Sequence, residues 1–173
     1  ALIIAGHGSG ISGVAPDVSA GNIITGSDFL FLRELRESMP TKVDVIYMRA
    51  CLMGMIEPAY ELRDKMDFYV ASQTYMVTRG LVPPLDLGLE IPSISSSTTP
   101  SQLATMYFDA YQQQYLTYNP GAISVLDMSK FTLLVSKVNA LAQALIANMA
   151  TEKPILLSLP DVSRLQHFDR DGN

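Results

Sequence analysis

Apolar residues run almost without a break from Val43 to Met48, and the run ends at Arg49-Ala50-Cys51-Leu52-Met53-Gly54. Val43, Val45 and Tyr47 alternate with Asp44, Ile46 and Met48, and neither set is polar enough to face water throughout. Such a run predicts a central strand covered on both faces. After Gly54 the period changes. Met55, Ala59, Leu62 and Met66 fall on one stripe, with Glu57, Glu61 and Lys65 elsewhere, which predicts a helix over 55–66. Ala1-Leu2-Ile3-Ile4-Ala5 is a second strand-like run, and it stops at Gly6-His7-Gly8-Ser9-Gly10. Two predicted strands therefore end in glycine-containing turns, one carrying Cys51 and the other His7.

The remaining pattern completes an alternation of strands and helices. Residues 11–26 are weakly patterned and turn-forming, and they read as a loop at a site rim. Thr25 or Ser27 is placed to cap a helix spaced by Phe29, Leu32 and Leu35, with Pro40 beyond its end. A strand is predicted near 67–72. Residues 73–99, with Gly80, Pro83, Pro84, Gly88 and Pro92, read as one long loop. Thr99-Pro100-Ser101-Gln102 is a capping box with proline at the first helical position, opening a helix to about Tyr118. A strand over 122–127 follows, and Ser129 is placed to cap a long helix striped by Leu134, Val138, Leu141 and Leu145. This order predicts an α/β fold with a mostly parallel central sheet.

Composition narrows the class. At 173 residues the chain is expected to form a single domain, 1–173, with a sizeable core, and 48% hydrophobic content suits a globular protein. Twelve basic against seventeen acidic residues give a formal charge of −5, without a Lys/Arg cluster, so nucleic acid and anionic membranes are poor partners. The most apolar stretch, 131–149, is interrupted by Lys137, Asn139 and Gln143, and no membrane span is expected. The chain opens on a strand-like run with no methionine, so further residues, including at least one more sheet strand, are expected upstream of Ala1. Oligomeric state is not legible.

The chemistry rests on His7 and Cys51. If both strands are parallel members of one sheet, their carboxyl ends share an edge, where open α/β sheets bind ligands. A thiol beside an imidazole is a nucleophile beside a base. An isolated cysteine is more often an inert core residue; the matching His-Gly turn is what weighs against that here. One cysteine and two histidines are too few for the common transition-metal sites. His167 reads as structural or surface. Asp169-Arg170-Asp171-Gly172-Asn173 has the opening rhythm of a calcium loop but lacks its remaining ligands, and reads as a solvated tail. Tyr107, Tyr111, Tyr115 and Tyr118 read as packing residues.

A strand ending in Ala5-Gly6-His7-Gly8-Ser9-Gly10, another ending in Ala50-Cys51-Leu52-Met53-Gly54, and a helix opening Ile56-Glu57-Pro58-Ala59-Tyr60-Glu61-Leu62 resemble the clostripain family of cysteine peptidases, of the caspase-like clan. The resemblance extends through 68–72, 122–127 and 163–168. It implies a caspase-like three-layer sandwich and a Cys–His dyad, with Cys51 as nucleophile and His7 as general base and then acid. It also implies an oxyanion hole from the N–H groups of Gly8 and Cys51, where a glycine at 8 leaves room for the substrate carbonyl. Peptides or proteins are the implied substrates. Location outside a bacterial cell or in its envelope is implied too, and calcium dependence occurs in some relatives; otherwise no cofactor is expected.

The specificity pocket departs from the family pattern. Relatives usually carry Asp two residues before the nucleophile, suited to Arg or Lys at the cleaved position; here that position holds Arg49. Beyond Ser72 and Gln73 the family's acidic and Trp-containing signature is also replaced, and Arg79 adds a second cation. Two guanidinium groups would repel a basic side chain and grip a carboxylate, which predicts a preference for Asp or Glu. The alternative is that Arg49 pairs with Asp44, Glu57 or another acid and closes the pocket. The alternative at the level of the whole chain is a catalytically inactive homologue acting as a binding or surface-interaction module.

Overall fold

The computed structural model describes residues 1–17, 28–76, 94–113 and 122–162. It comprises two compact units, Ala1–Ser129 and Lys130–Asn173. In the first, strands β1 (Leu2–Ala5), β4 (Val43–Arg49), β5 (Met66–Ser72) and β6 (Ile123–Asp127) form one sheet in the order β1-β4-β5-β6. The first three are parallel, and β6 closes the edge antiparallel to β5. This is the mixed, mostly parallel α/β sheet that the alternation of strands and helices predicts.

β4 behaves as its pattern dictates. Val45 and Tyr47 point to one face and Ile46 and Met48 to the other, and all four are fully buried. Helix α3 (Pro100–Tyr111) covers the first face, where Ala104 and Tyr107 pack with Val45, Tyr47 and Val70. The Tyr47 and Tyr107 rings lie 4.9 Å apart at 32°. Helix α1 (Leu32–Ser38) joins β3 (Asp28–Leu30) to β4, and α2 (Ile56–Glu61) joins β4 to β5. Successive right-handed crossovers running the same way along a sheet put both connecting helices on its second face. Their buried residues are Leu32, Leu35, Pro58 and Ala59, and Leu62 just beyond α2 is buried as well. Arg36 of α1 donates two bonds of 2.9 Å to Asp64, tying α1 to the turn after α2.

Four expectations are corrected. Residues 10–17 are not a plain loop: Gly10–Ser12 is a 3-10 turn, and β2 (Val14–Asp17) pairs antiparallel with β3. That hairpin takes Phe29 out of the expected helix. α1 starts at Leu32 with Phe31 as its N-cap, whose N–H is accepted by Glu34 at 3.0 Å; the expected caps Thr25 and Ser27 lie outside the described residues. The helix expected over 55–66 spans only Ile56–Glu61. Strand pairing wins there, because Met66 is needed opposite Val43 and the Val43 N–H bonds the Lys65 carbonyl at 2.9 Å. The periodic positions Ala59, Leu62 and Met66 are buried all the same. Ser129 does not cap the long helix; it lies in a 3-10 turn (Met128–Lys130), with its N–H bonded to the Asp127 carboxylate at 2.9 Å.

The expected capping box is present. Thr99 Oγ1 accepts the Gln102 N–H at 3.3 Å, Gln102 Oε1 accepts the Thr99 N–H at 2.9 Å, and Pro100 opens α3. Tyr107 and Tyr111 are buried packing residues. Tyr115, Tyr118, Arg79, His167 and 169–173 lie outside the described residues, as does most of the loop expected over 73–99.

The second unit holds α4 (Phe131–Ala147) and α5 (Met149–Val162). Most of the predicted stripe of α4 is exposed: Leu134, Val138 and Leu141 are 41%, 42% and 61% accessible, and Leu145 is half-buried. By length and composition alone Met128–Ala147 is long and apolar enough to cross a membrane, at a mean hydropathy of 1.2. Lys137 near its middle disfavours that use, since a charge at the bilayer centre costs about 3 kcal/mol.

Candidate active site

The register of β1 on β4 sets the site. Ala5 stands opposite Arg49, and the ladder continues one step further through Gly6 N–H to Arg49 C=O at 3.2 Å. His7 and Cys51 each follow that matched pair by two residues, so they leave neighbouring strands at the same carboxyl-end rim. Gly8 then packs directly on the Cys51 turn. A Cβ at position 8 would overlap the Cys51 carbonyl oxygen and come within 2.9 Å of Ala50 Cβ and 3.0 Å of Met53 Cγ. Glycine here is required by contact between the two turns, a reason distinct from clearance for a substrate.

The Cys51 turn is held from below and alongside. Tyr69, buried on β5, donates its hydroxyl to the Met53 carbonyl at 2.8 Å, and burial pushes its phenol pKa well above the ordinary value. Gly54 donates to the Ser72 carbonyl at 2.7 Å, and Leu52 donates to the Thr74 carbonyl at 3.1 Å. A Cβ at Gly54 would come within 2.6 Å of the Ser72 carbonyl carbon and 2.8 Å of Gln73 N. Leu52 itself sits at φ 61°, in the left-handed region that costs a non-glycine residue about 1 kcal/mol or more. Strain immediately after a candidate nucleophile fits a turn shaped for a purpose other than stability.

Cys51 is partly accessible, with Sγ 3.2 Å from the Met76 N–H and 3.8 Å from the Met76 carbonyl oxygen. His7 is exposed, and its carbonyl accepts the Ala15 N–H at 2.8 Å, anchoring its turn to β2. Arg49, half-buried at the end of β4, shares strand parity with Val45 and Tyr47 and so lies on the α3 face of the sheet. Ser72 is buried at the end of β5, and Gln73 is exposed, donating to Ser124 Oγ at 3.2 Å. Among the described residues no group of three or more His, Cys, Asp or Glu side chains could hold a metal ion.

Sequence reasoning did not identify the 72–76 segment as the support of the Cys51 turn. Its signal was the pair Ser72 and Thr74, hydroxyls two residues apart after a strand. Ser72 Oγ accepts the Thr74 N–H at 3.1 Å and donates to the Thr74 carbonyl at 3.0 Å. Gly54 carried a second, the small residue needed where a turn crosses a strand end.

With this geometry in place, comparison with known proteins is direct. The sequence profile of the clostripain family matches residues 1–165. The chain belongs to that family. Solved structures share its fold. One is a secreted C11 cysteine protease from Bacteroides thetaiotaomicron in complex with an irreversible peptide inhibitor, 22% identical, with a TM-score of 0.58 over 78% of this chain and 41% of that one. Another, from the same organism and called iotapain, is 22% identical with a TM-score of 0.52, covering 78% of this chain and 40% of that one. This clostripain-family chain therefore spans about two fifths of the length of those structures. A search among curated protein sequences finds no match.

Proposed function

We propose that the chain carries the nucleophile and base of a cysteine endopeptidase. The observation that carries this reading is the parallel pairing of Ala5 with Arg49, which delivers His7 and Cys51 to one rim with Gly8 packed on the Cys51 turn. Clostripain-family membership and the peptidase fold of the structural relatives support it.

In the proposed reaction His7 takes the thiol proton, and Sγ of Cys51 bonds to the carbonyl carbon of the scissile peptide. The carbonyl electron pair moves onto oxygen, where the N–H groups of Gly8 and Cys51 receive it. Collapse breaks the C–N bond, and the His7 imidazolium gives its proton to the leaving amine. The same histidine then deprotonates water, which attacks the thioester carbonyl and releases the carboxylate and the thiol. Every bond made or broken in these steps lies on the two side chains, the peptide and water. Loss of activity on EDTA treatment would add a calcium requirement.

The proposed pocket preference is for Asp or Glu at the cleaved position, from Arg49 at the place where relatives carry an acid, with Arg79, Ser72 and Gln73 as further pocket residues. A fluorogenic peptide panel varied at that position tests both claims. Hydrolysis of Asp or Glu substrates ahead of Arg or Lys substrates, lost in Cys51→Ala, is expected; the reverse order removes the acidic preference. Arg49 also favours a second reading, a binding or surface-interaction module with the pocket closed, which predicts no hydrolysis of any member. Peptide or protein substrates outside a bacterial cell or in its envelope complete the proposal, in keeping with relatives described as secreted.

A further inference from the structure

We propose that the peptide N–H of Met76 is a positioning group for the Cys51 nucleophile, an inference that rests on the peptidase reading above. Ser72 and Thr74 turn their carbonyl groups to Gly54 and Leu52, at 2.7 and 3.1 Å. Gln73 and Thr74 form a bend after β5, closed by the Ser72 hydroxyl on the Thr74 N–H at 3.1 Å. Met76, two residues beyond Thr74, meets the sulfur itself: its N–H stands 3.2 Å from Sγ and its carbonyl oxygen 3.8 Å. The third contact of this segment with the Cys51 turn is thus a main-chain group against the candidate nucleophile.

The segment that delivers Met76 is fixed by its own hydroxyls. Ser72 Oγ holds the Thr74 N–H at 3.1 Å and the Thr74 carbonyl at 3.0 Å, and Thr74 Oγ1 accepts the Ala122 N–H at 3.1 Å. Ser72 is buried, so this frame is shielded from competition by water. A donated N–H keeps the sulfur in one rotamer and supports the negative charge that attack on a carbonyl requires. The Met76 side chain has no part in this, so the role is invisible to residue type at position 76.

The contrast of Met76→Pro, which deletes the N–H, with Met76→Leu, which keeps it, isolates the donor. The readout is the rate at which iodoacetamide alkylates Cys51, the chain's single cysteine, and it needs no peptidase activity. Met76→Leu is expected within about twofold of the parent, and Met76→Pro about tenfold slower, the loss expected for one hydrogen bond to a charged group. Equal rates for the two variants, or faster alkylation of Met76→Pro, overturn the proposal. If Met76→Pro does not fold, as judged by its melting profile, the parent labelled with [15N]Met supplies the answer. The Met76 amide proton must move upfield in Cys51→Ala, and an unmoved signal overturns the proposal. A parent that shows the alkylation contrast but cleaves no peptide removes the peptidase reading and leaves the positioning role standing.

Discussion

Two turns meet at the rim, and they are built differently. The Cys51 turn is locked: Tyr69 below, Ser72 and Thr74 alongside, Met76 on the sulfur, and a left-handed Leu52 held within it. The His7 turn carries an exposed imidazole and is anchored through main-chain bonds to β2. A nucleophile gains from being fixed, because a displacement of one ångström can cost orders of magnitude in rate. A base that must pass a proton first to a leaving group and then from water needs access to both. The difference teaches that the fold spends its local constraints on sulfur, and that Gly8 is the joint at which the fixed turn positions the open one.

The strongest ways to break that comparison are at the two close-packed glycines, Gly54 behind the Cys51 turn and Gly8 at the joint. Gly54→Ala puts a methyl group against the backbone of Ser72 and Gln73, and is expected to cost about 3 kcal/mol in denaturant unfolding, as overpacking does. Gly8→Ala presses on the Cys51 carbonyl and is expected to cost about 2 kcal/mol or to separate the turns, with loss of any peptide hydrolysis. If Gly8→Ala melts and behaves like the parent, the two turns are not in contact; if Gly54→Ala does, the Cys51 turn is not packed on the end of β5.

Smaller effects sharpen the picture of the fixed turn. Tyr69→Phe strips the Met53 carbonyl of its buried donor and is expected to lower stability by about 1.5 kcal/mol. Leu52→Gly removes the left-handed penalty and is expected to raise stability by up to about 1 kcal/mol, whereas Leu52→Val lowers it. A stabilised Leu52→Gly that reacts more slowly at Cys51 would show that the strain serves the nucleophile. The smallest effect lies away from the site. Hydrogen bonding from Arg36 holds the Asp64 carboxyl at about 2, below its ordinary 3.8. A lowered folded-state pKa means stability that is fully present above about pH 4 and lost as pH falls towards 2. Asp64→Asn should remove that part of the acid limb, though solvent exposure keeps it slight.

Much of this was legible in the sequence where local pattern and tertiary demand agree. The unbroken run from Val43 to Met48 became a strand buried on both faces, and Thr99-Pro100-Ser101-Gln102 became a capped helix start. Where they conflict, pairing won. The period over 55–66 continues past Glu61, yet Met66 joins β5 because Val43 needs a partner, and Phe29 is drawn into the hairpin. The stripe of α4 is the opposite case: Leu134, Val138 and Leu141 keep helical spacing but are exposed, because periodicity fixes a face and not what covers it. At the site, the placement of His7 and Cys51 beyond the ends of neighbouring parallel strands could be read from the apolar runs that precede them. The Met76 N–H could not, since every residue but proline carries one.

The central claim is that His7 serves the sulfur of Cys51 across neighbouring strands. A thiol-directed peptide probe, compared between the parent, Cys51→Ala and His7→Ala, measures this directly. The account predicts labelling of the parent, none in Cys51→Ala, and labelling at least tenfold slower in His7→Ala. Labelling of His7→Ala at the parent's rate would contradict it.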